Sequence, residues 1–151
     1  MYCKEYTIGI DEFLTIHNTL CKLQWHKDDA VKAAVEVIRK NLKAAYAADD
    51  AAFKAKMEYY DSVKKQLALF TIWSIFEVDD IDSQHPYRGA QTLVYKDHWG
   101  EKPVYVPIGG ATWADLWVAA DAAIEDSGDN HHVFIETFKQ AGDELFLTTG
   151  S

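Results

Sequence analysis

Residues 65–82, KQLALFTIWSIFEVDDID, constrain the fold more than any other stretch. Their apolar centre, residues 67–78, holds a single charged side chain, Glu77, and is crowded with aromatic and β-branched residues. That is the composition of a strand packed on both faces. No Gly, Pro or Asn separates Lys65 from Phe70, so a preceding helix has no local stop and is free to run on to Phe76. Two features favour a break. Thr71, Ile72, Trp73, Ile75, Phe76 and Val78 prefer strands. A helix ending in Glu77, Asp79, Asp80 and Asp82 would also set negative charge on its negative pole.

Upstream, helical periodicity dominates. Asp11 can cap a helix over residues 11–24, with Phe13, Ile16, Leu20 and Leu23 as its apolar stripe. Asp28-Asp29 opens a second, reaching about Tyr46 on Val31, Val35, Ile38, Leu42 and Tyr46. Asp49-Asp50 can start a third, with Phe53, Met57, Tyr60, Val63 and Leu67 facing inward. The short junction at residues 47–50, AADD, predicts that the second and third helices form an antiparallel pair. Lys54–Glu58 and Asp61–Lys65 are spaced as i,i+4 ion pairs, worth ~0.2–0.5 kcal/mol each.

Downstream, residues 79–89 read as a loop. Residues 92–96 and 103–107 read as two strands joined through DHWG. Thr112-x-x-Asp115 resembles a capping box, with Asp where Glu or Gln is usual. It opens a helix over residues 113–126 that buries Trp113, Leu116, Trp117, Ala120 and Ile124 and stops at Gly128. Residues 131–139 and 144–149 alternate as strands about a turn at 141–143. The expectation is one α+β domain over residues 1–151. Three N-terminal helices (residues 1–66, about) pack with a mostly antiparallel sheet of about five strands and one further helix, the acidic strand-rich part covering about 69–151.

Charge divides along the same line. Residues 1–69 carry 11 Lys/Arg and 10 Asp/Glu, whereas residues 70–151 carry 4 and 14, within an overall net of −9. Such a field repels phosphate backbones and anionic bilayers, so direct nucleic-acid binding and membrane association are not expected. It attracts a basic protein surface or cations, or simply keeps the chain dispersed. No apolar run approaches the ~20 residues of a membrane span. The N-terminus lacks the pattern of a signal peptide, and two cysteines, Cys3 and Cys21, make no disulfide framework, so a cytoplasmic location is expected.

No motif names a reaction. Glu77, Asp79, Asp80 and Asp82, with His85 nearby, offer oxygen ligands for a divalent cation but lack the spacing of a calcium loop. His131 and His132 point to opposite faces of an extended strand, and Glu136 lies ~13 Å from His132 along it, so a metal there needs further ligands. Asp80, Asp82, His98 and His132 are the set that could supply them. His17, Cys21 and His26 miss a fourth zinc ligand at recognisable spacing. Gly109-Gly110 precede a helix start, yet no phosphate-loop signature follows.

The remaining signal is aromatic. His85, Tyr87, Arg88, Tyr95, Trp99 and Tyr105 cluster in sequence around the first hairpin, and such side chains favour recognition surfaces. The leading expectation is a non-enzymatic interaction protein that docks a protein partner or its own copy, with no cofactor. The alternatives are a metal-dependent hydrolase or a binder of a nucleotide or metabolite through the acidic loop and histidines, and an acidic mimic of nucleic acid.

Overall fold

The structure, a computed structural model, describes residues 9–96 and 102–151. It resolves into two compact units, Met1–Met57 and Glu58–Ser151.

In the first unit α1 (Ile10–Leu23) packs on the opening half of α2 (Asp29–Gln66). Leu20, Val35 and Leu42 are buried between them, flanked by Phe13 and Val31. The Phe13 and Tyr46 rings lie 4.5 Å apart, and Arg39 Nη2 donates to Gln24 Oε1 at 2.9 Å. Contacts thus run backward along α2 as α1 runs forward, which makes these two helices antiparallel. Asp28 Oδ1 caps the start of α2 by accepting the Ala30 N–H at 2.8 Å.

The expected break at residues 47–50 is absent: α2 is one helix of 38 residues, so two N-terminal helices stand where three were anticipated. Residues 29–66 contain no Gly or Pro, and Ala, the strongest helix former, surrounds Asp49-Asp50. Asp50 is also absorbed by an i,i+4 pair with Lys54, at 2.7 Å. Lys65 pairs with Asp61 at 2.6 Å as its spacing predicts.

The second unit begins with the last turns of α2. The helix stops at Gln66 without a glycine, because Ala68 takes a left-handed φ of 55°. The Leu69 N–H then reaches Lys64 O at 3.0 Å and the Ala68 N–H reaches Lys65 O at 3.3 Å. This is the bonding pattern of a Schellman cap, normally closed by glycine. The break expected from the strand-forming residues therefore occurs, but the strand is short. β1 covers only Ile72–Trp73. Beyond it, carbonyls are taken by side chains rather than by a neighbouring strand. The Tyr60 hydroxyl donates to Ile75 O at 3.1 Å and Val78 O at 2.6 Å, and Trp73 Nε1 donates to Ile75 O at 3.1 Å. Burial pushes the Tyr60 hydroxyl up to about 12, with Asp79 and Glu77 adding to the rise.

The five-stranded sheet has the order β1–β4–β5–β2–β3, with β2 at Thr92–Tyr95, β3 at Val104–Pro107, β4 at Phe134–Ala141 and β5 at Glu144–Gly150. The two hairpins, β2/β3 and β4/β5, are antiparallel; β1/β4 and β5/β2 pair in parallel. The sheet is therefore mixed. The parallel joins arise because α3 (Trp113–Ser127) carries the chain from β3 across β2 and β5 to β4, which runs in the same direction as β3. Helix α3 follows its sequence signals closely. Thr112 and Asp115 form the reciprocal capping box, Gly128 ends the helix at φ 76°, and Leu116, Trp117, Ala120 and Ile124 are buried. In β4 a bulge between Ile135 and Thr137 breaks the alternation, so Ile135 and Phe138, three residues apart, are both buried. Among the described residues, no helix is long and apolar enough to cross a membrane.

Because alanine resists the left-handed region by ~1–2 kcal/mol and glycine does not, Ala68→Gly should stabilise the fold by ~0.5–1 kcal/mol once glycine's extra chain entropy is subtracted. Ala68→Val should destabilise it by more than that margin, β-branching being worst at positive φ. Urea unfolding of the two variants checks both signs.

Candidate functional site

The loop between β1 and β2 is folded against the start of α3. His85 N–H donates to Ala111 O at 3.0 Å, while the first helical N–H groups, of Trp113 and Ala114, donate to Ser83 O and Ile81 O at 3.1 and 2.9 Å. With Thr112 and Asp115 capping each other, these helix-start donors are committed to protein acceptors. A Cβ at Gly110 would collide with the Asp115 carboxylate, so the glycine is what lets the chain pass that carboxylate. Gly110 thus serves the cap, and the anion-binding geometry the sequence suggests is already filled.

Between this loop and Gly110-Ala111 lies a cleft of about 550 Å³, lined among others by His85, Tyr87, Arg88 and Gly89. His85 Nδ1 accepts the Tyr87 N–H at 3.2 Å, which leaves the ring proton on Nε2. That Nε2 is buried without a hydrogen-bond partner. Tyr87 stands edge-on to Trp113 and Phe138, with ring centres 5.8 and 6.0 Å away, and burial raises its hydroxyl above the ordinary range. Gln140 Nε2 donates to Arg88 O at 2.7 Å and ties the loop to β4. Two of the three predicted side chains here are therefore as much framework as surface. Arg88, which is exposed, brings the cleft's positive charge.

Of the six residues expected to share a binding surface, the five described ones do not all meet. His85, Tyr87 and Arg88 meet at the cleft. Tyr95 is 2% exposed and faces the core, where its hydroxyl donates to Asp129 Oδ2 at 2.9 Å and lies 3.1 Å from Thr149 Oγ1. Tyr105 is exposed on the edge strand β3, and Trp99 lies outside the described residues.

Asp129 is the polar centre that sequence reasoning missed. It accepts the backbone N–H groups of His131 and His132, the Tyr95 hydroxyl, and the Nδ1–H of His132 at 2.9 Å. Burial alone would raise its pKa, but these four donors outweigh burial and hold the carboxyl far below the usual carboxylate range. His132 consequently sits in a turn ahead of β4, its ring oriented by a carboxylate, rather than in the strand expected from residue 131. The signal for this was local: Asp followed two and three residues later by the N–H groups it binds, just after a helix-stopping glycine.

The three described members of the proposed metal set, Asp80, Asp82 and His132, do not converge. Asp80 Oδ1 accepts the Asp82 N–H at 3.0 Å within an exposed turn, His132 is turned onto Asp129, and His98 lies outside the described residues. Among the described residues no three His, Cys, Asp or Glu side chains gather to hold a metal. At the other suspected cluster, Cys21 Sγ lies 3.7 Å from His17 Nδ1, but Arg39 Nη2 approaches the sulfur at 3.5 Å. A guanidinium in that position opposes a cation.

Acid in the second unit is divided between internal hydrogen bonds and the surface. Residues 58–151 hold 6 Lys/Arg and 16 Asp/Glu. Asp115, Asp121 and Asp129 are spent on internal hydrogen bonds. Exposed carboxylates include Glu77, Asp79, Asp80 and Asp82 in the loop before α3, Glu125 and Asp126 at its end, and Glu136 and Asp143 on the β4–β5 hairpin.

The first unit is different. Ile16, Leu23, Ile38 and Phe53, expected to face inward, are 39–49% exposed. Ile10, Leu14, Trp25 and Val37 join them, at 48%, 47%, 82% and 61%. Arg39 and Cys21 mark one edge of the α1/α2 pair; at 100° per residue, Ile16, Leu23 and Ile38 fall on the opposite edge. The chain matches no known protein family, no curated protein and no solved structure.

The Asp129 network generates a pH dependence. A carboxyl depressed in the folded state adds stability above its ordinary value of 3.8 and loses that contribution as pH falls below it toward the folded value. Asp129→Asn should cost ~1–3 kcal/mol at pH 7 and flatten the acid side of the stability profile. Denaturant titrations of wild type and variant from pH 7 to pH 2 should converge; parallel curves would remove the network from the stability of this turn.

Proposed function

We propose that this is a non-enzymatic interaction protein that docks a protein partner, or another copy of itself, through the helical unit. One observation carries the reading: eight large apolar side chains more than a third exposed between Ile10 and Phe53. Each half-exposed Leu or Ile forgoes about 1 kcal/mol of burial, which a partner's surface would recover. In residues 58–151, by contrast, Asp115, Asp121 and Asp129 are spent on internal hydrogen bonds, which supports the helical unit as the contact surface. The double variant Val37→Lys, Ile38→Glu is predicted to keep the helical circular dichroism and unfolding midpoint of the wild type while losing association, read as solution mass and as crosslinking to a purified partner. Association that persists unchanged in the variant, or its absence in the wild type, overturns the reading.

A second reading has one observation in its favour. The unpartnered Nε2–H of His85 at the wall of the cleft, with Arg88 beside it, suits a small ligand that carries an acceptor and a negative charge. Thermal-shift screening with nucleoside monophosphates, sugar phosphates and dicarboxylates is expected to show at least one stabilising compound whose effect is lost in Arg88→Ala. No stabilisation, or equal stabilisation of the variant, ends this reading.

A further inference from the structure

We infer that the cleft beside α3 seats the carboxylate of a small organic acid, held by the Arg88 guanidinium and by the imidazole N–H of His85. The inference rests on the small-ligand reading above and names the chemical class of that ligand.

The cleft offers one positive charge and one unused donor. Among the described residues that line it, Arg88 alone is charged. His85 is held as the neutral tautomer with its proton on Nε2, because Nδ1 takes the Tyr87 N–H at 3.2 Å. The Nε2–H is buried and unpaired, so it has given up the water it bonds in the unfolded chain without gaining an acceptor. Nearly all buried donors in folded proteins have a partner, and one that lacks it at a cleft wall calls for an acceptor from outside the chain. A carboxylate only accepts, and its two oxygens carry several lone pairs. One oxygen can take the Nε2–H while the guanidinium balances the charge of the group.

The walls stand ready for such a ligand. The His85 N–H ties the loop to Ala111 O at 3.0 Å, the Arg88 N–H donates to Pro86 O at 2.9 Å, and Arg88 O accepts from the Gln140 side chain. The His85 and Tyr87 rings rest on Trp113, with centres 6.2 and 5.8 Å away. Ordering on binding is therefore confined largely to the exposed Arg88 side chain. A volume of about 550 Å³ is in the range of small-molecule sites.

The same walls disfavour a phosphate. A phosphate ester carries nearly two charges at neutral pH and commonly sits on free N–H groups at a helix start. At α3 those groups are spent: Trp113 and Ala114 donate to Ser83 O and Ile81 O, and Asp115 donates to Thr112 Oγ1. The Asp115 carboxylate abuts Gly110 on the second wall, and residues 58–151 hold 6 Lys/Arg against 16 Asp/Glu. One guanidinium balances the single charge of a carboxylate but leaves the second charge of a phosphate facing that acid.

The test is titration calorimetry on the full-length chain with benzoate, lactate and succinate, with the neutral amides benzamide and lactamide, and with inorganic phosphate and glycerol phosphate. At least one carboxylate is expected to bind, its amide not to bind, and the phosphates to bind at least about tenfold more weakly. His85→Asn separates the donor from the loop. An Asn oxygen can accept the N–H two residues on, as Nδ1 does, so the loop keeps its bond while the Nε2–H is gone. It should weaken the carboxylate on the order of tenfold to a hundredfold without lowering the unfolding midpoint of the free protein. Should His85→Asn fail to fold, the exposed Arg88 still reports: Arg88→Ala should abolish binding and Arg88→Lys restore part of it. An amide that binds as tightly as its acid, or a carboxylate held equally by wild type and His85→Asn, overturns the inference. Phosphate bound more tightly than any carboxylate, and lost in Arg88→Ala, overturns the carboxylate class but leaves the small-ligand reading standing. Binding by none of the probes removes both.

Discussion

One buried carboxylate ties the strand-rich unit together. Asp121, on the inner face of α3, accepts hydrogen bonds at its Oδ1 from the backbone N–H groups of Phe70 and Thr71 and from the Thr71 hydroxyl. Thr71 in turn accepts from Trp117 Nε1 at 3.0 Å, one turn earlier on the same helix. Phe70 and Thr71 belong to the segment leaving α2, so α3 fixes the direction in which that segment enters the sheet as β1. A carboxylate in an apolar setting is costly unless its lone pairs are filled. Here the donors are three, and two of them are backbone groups that no strand neighbour satisfies. Removing the side chain would orphan both, which is why an apolar residue of similar size is no substitute.

Around that tie lies an aromatic cluster within a mostly aliphatic core. Trp73 of β1 touches Trp113 and Trp117 of α3 and Phe138 of β4, with ring centres 5.4–6.1 Å apart. Tyr87 and His85 extend the same cluster out to the cleft. Rings at these spacings favour offset and edge-on contacts, so the loop above them is held by the geometry of the core beneath. The rigidity of the His85–Arg88 segment is thus a consequence of packing, and its polar atoms are presented on a surface that the aromatic residues define.

The two units put acidic and apolar side chains to different uses. In residues 58–151 the carboxylates close turns, cap a helix or bind the start of a strand, with the rest spread over the surface. Over the first half of α2 in the helical unit, Lys32, Glu36, Arg39 and Lys43 keep to one edge, while Ala34, Val37, Ile38, Asn41 and Ala45 occupy another. Part of the acid in the second half of the polypeptide is therefore spent inside the fold.

What the sequence determined by itself was whatever a few adjacent residues settle among themselves. Thr112-x-x-Asp115 and Gly128 delimit α3, Gly142 at φ 66° closes the β4/β5 hairpin, and His85, Tyr87 and Arg88 reach one cleft because they are neighbours in the chain. Tertiary structure decided the rest. The periodicity of Ile16, Leu23 and Ile38 promises burial, but a pair of helices covers only part of a wide apolar stripe. Asp49-Asp50 has the look of a helix start, yet the surrounding alanines make continuation cheaper than a turn. Ala68 becomes a helix stop only because Asp121 and the sheet draw the following residues away, and Asp129 gathers Tyr95 from a strand 34 residues earlier. Each of these outcomes depends on groups far apart along the chain. Their relative positions exist only once the helices and strands have packed, so no local pattern could announce them.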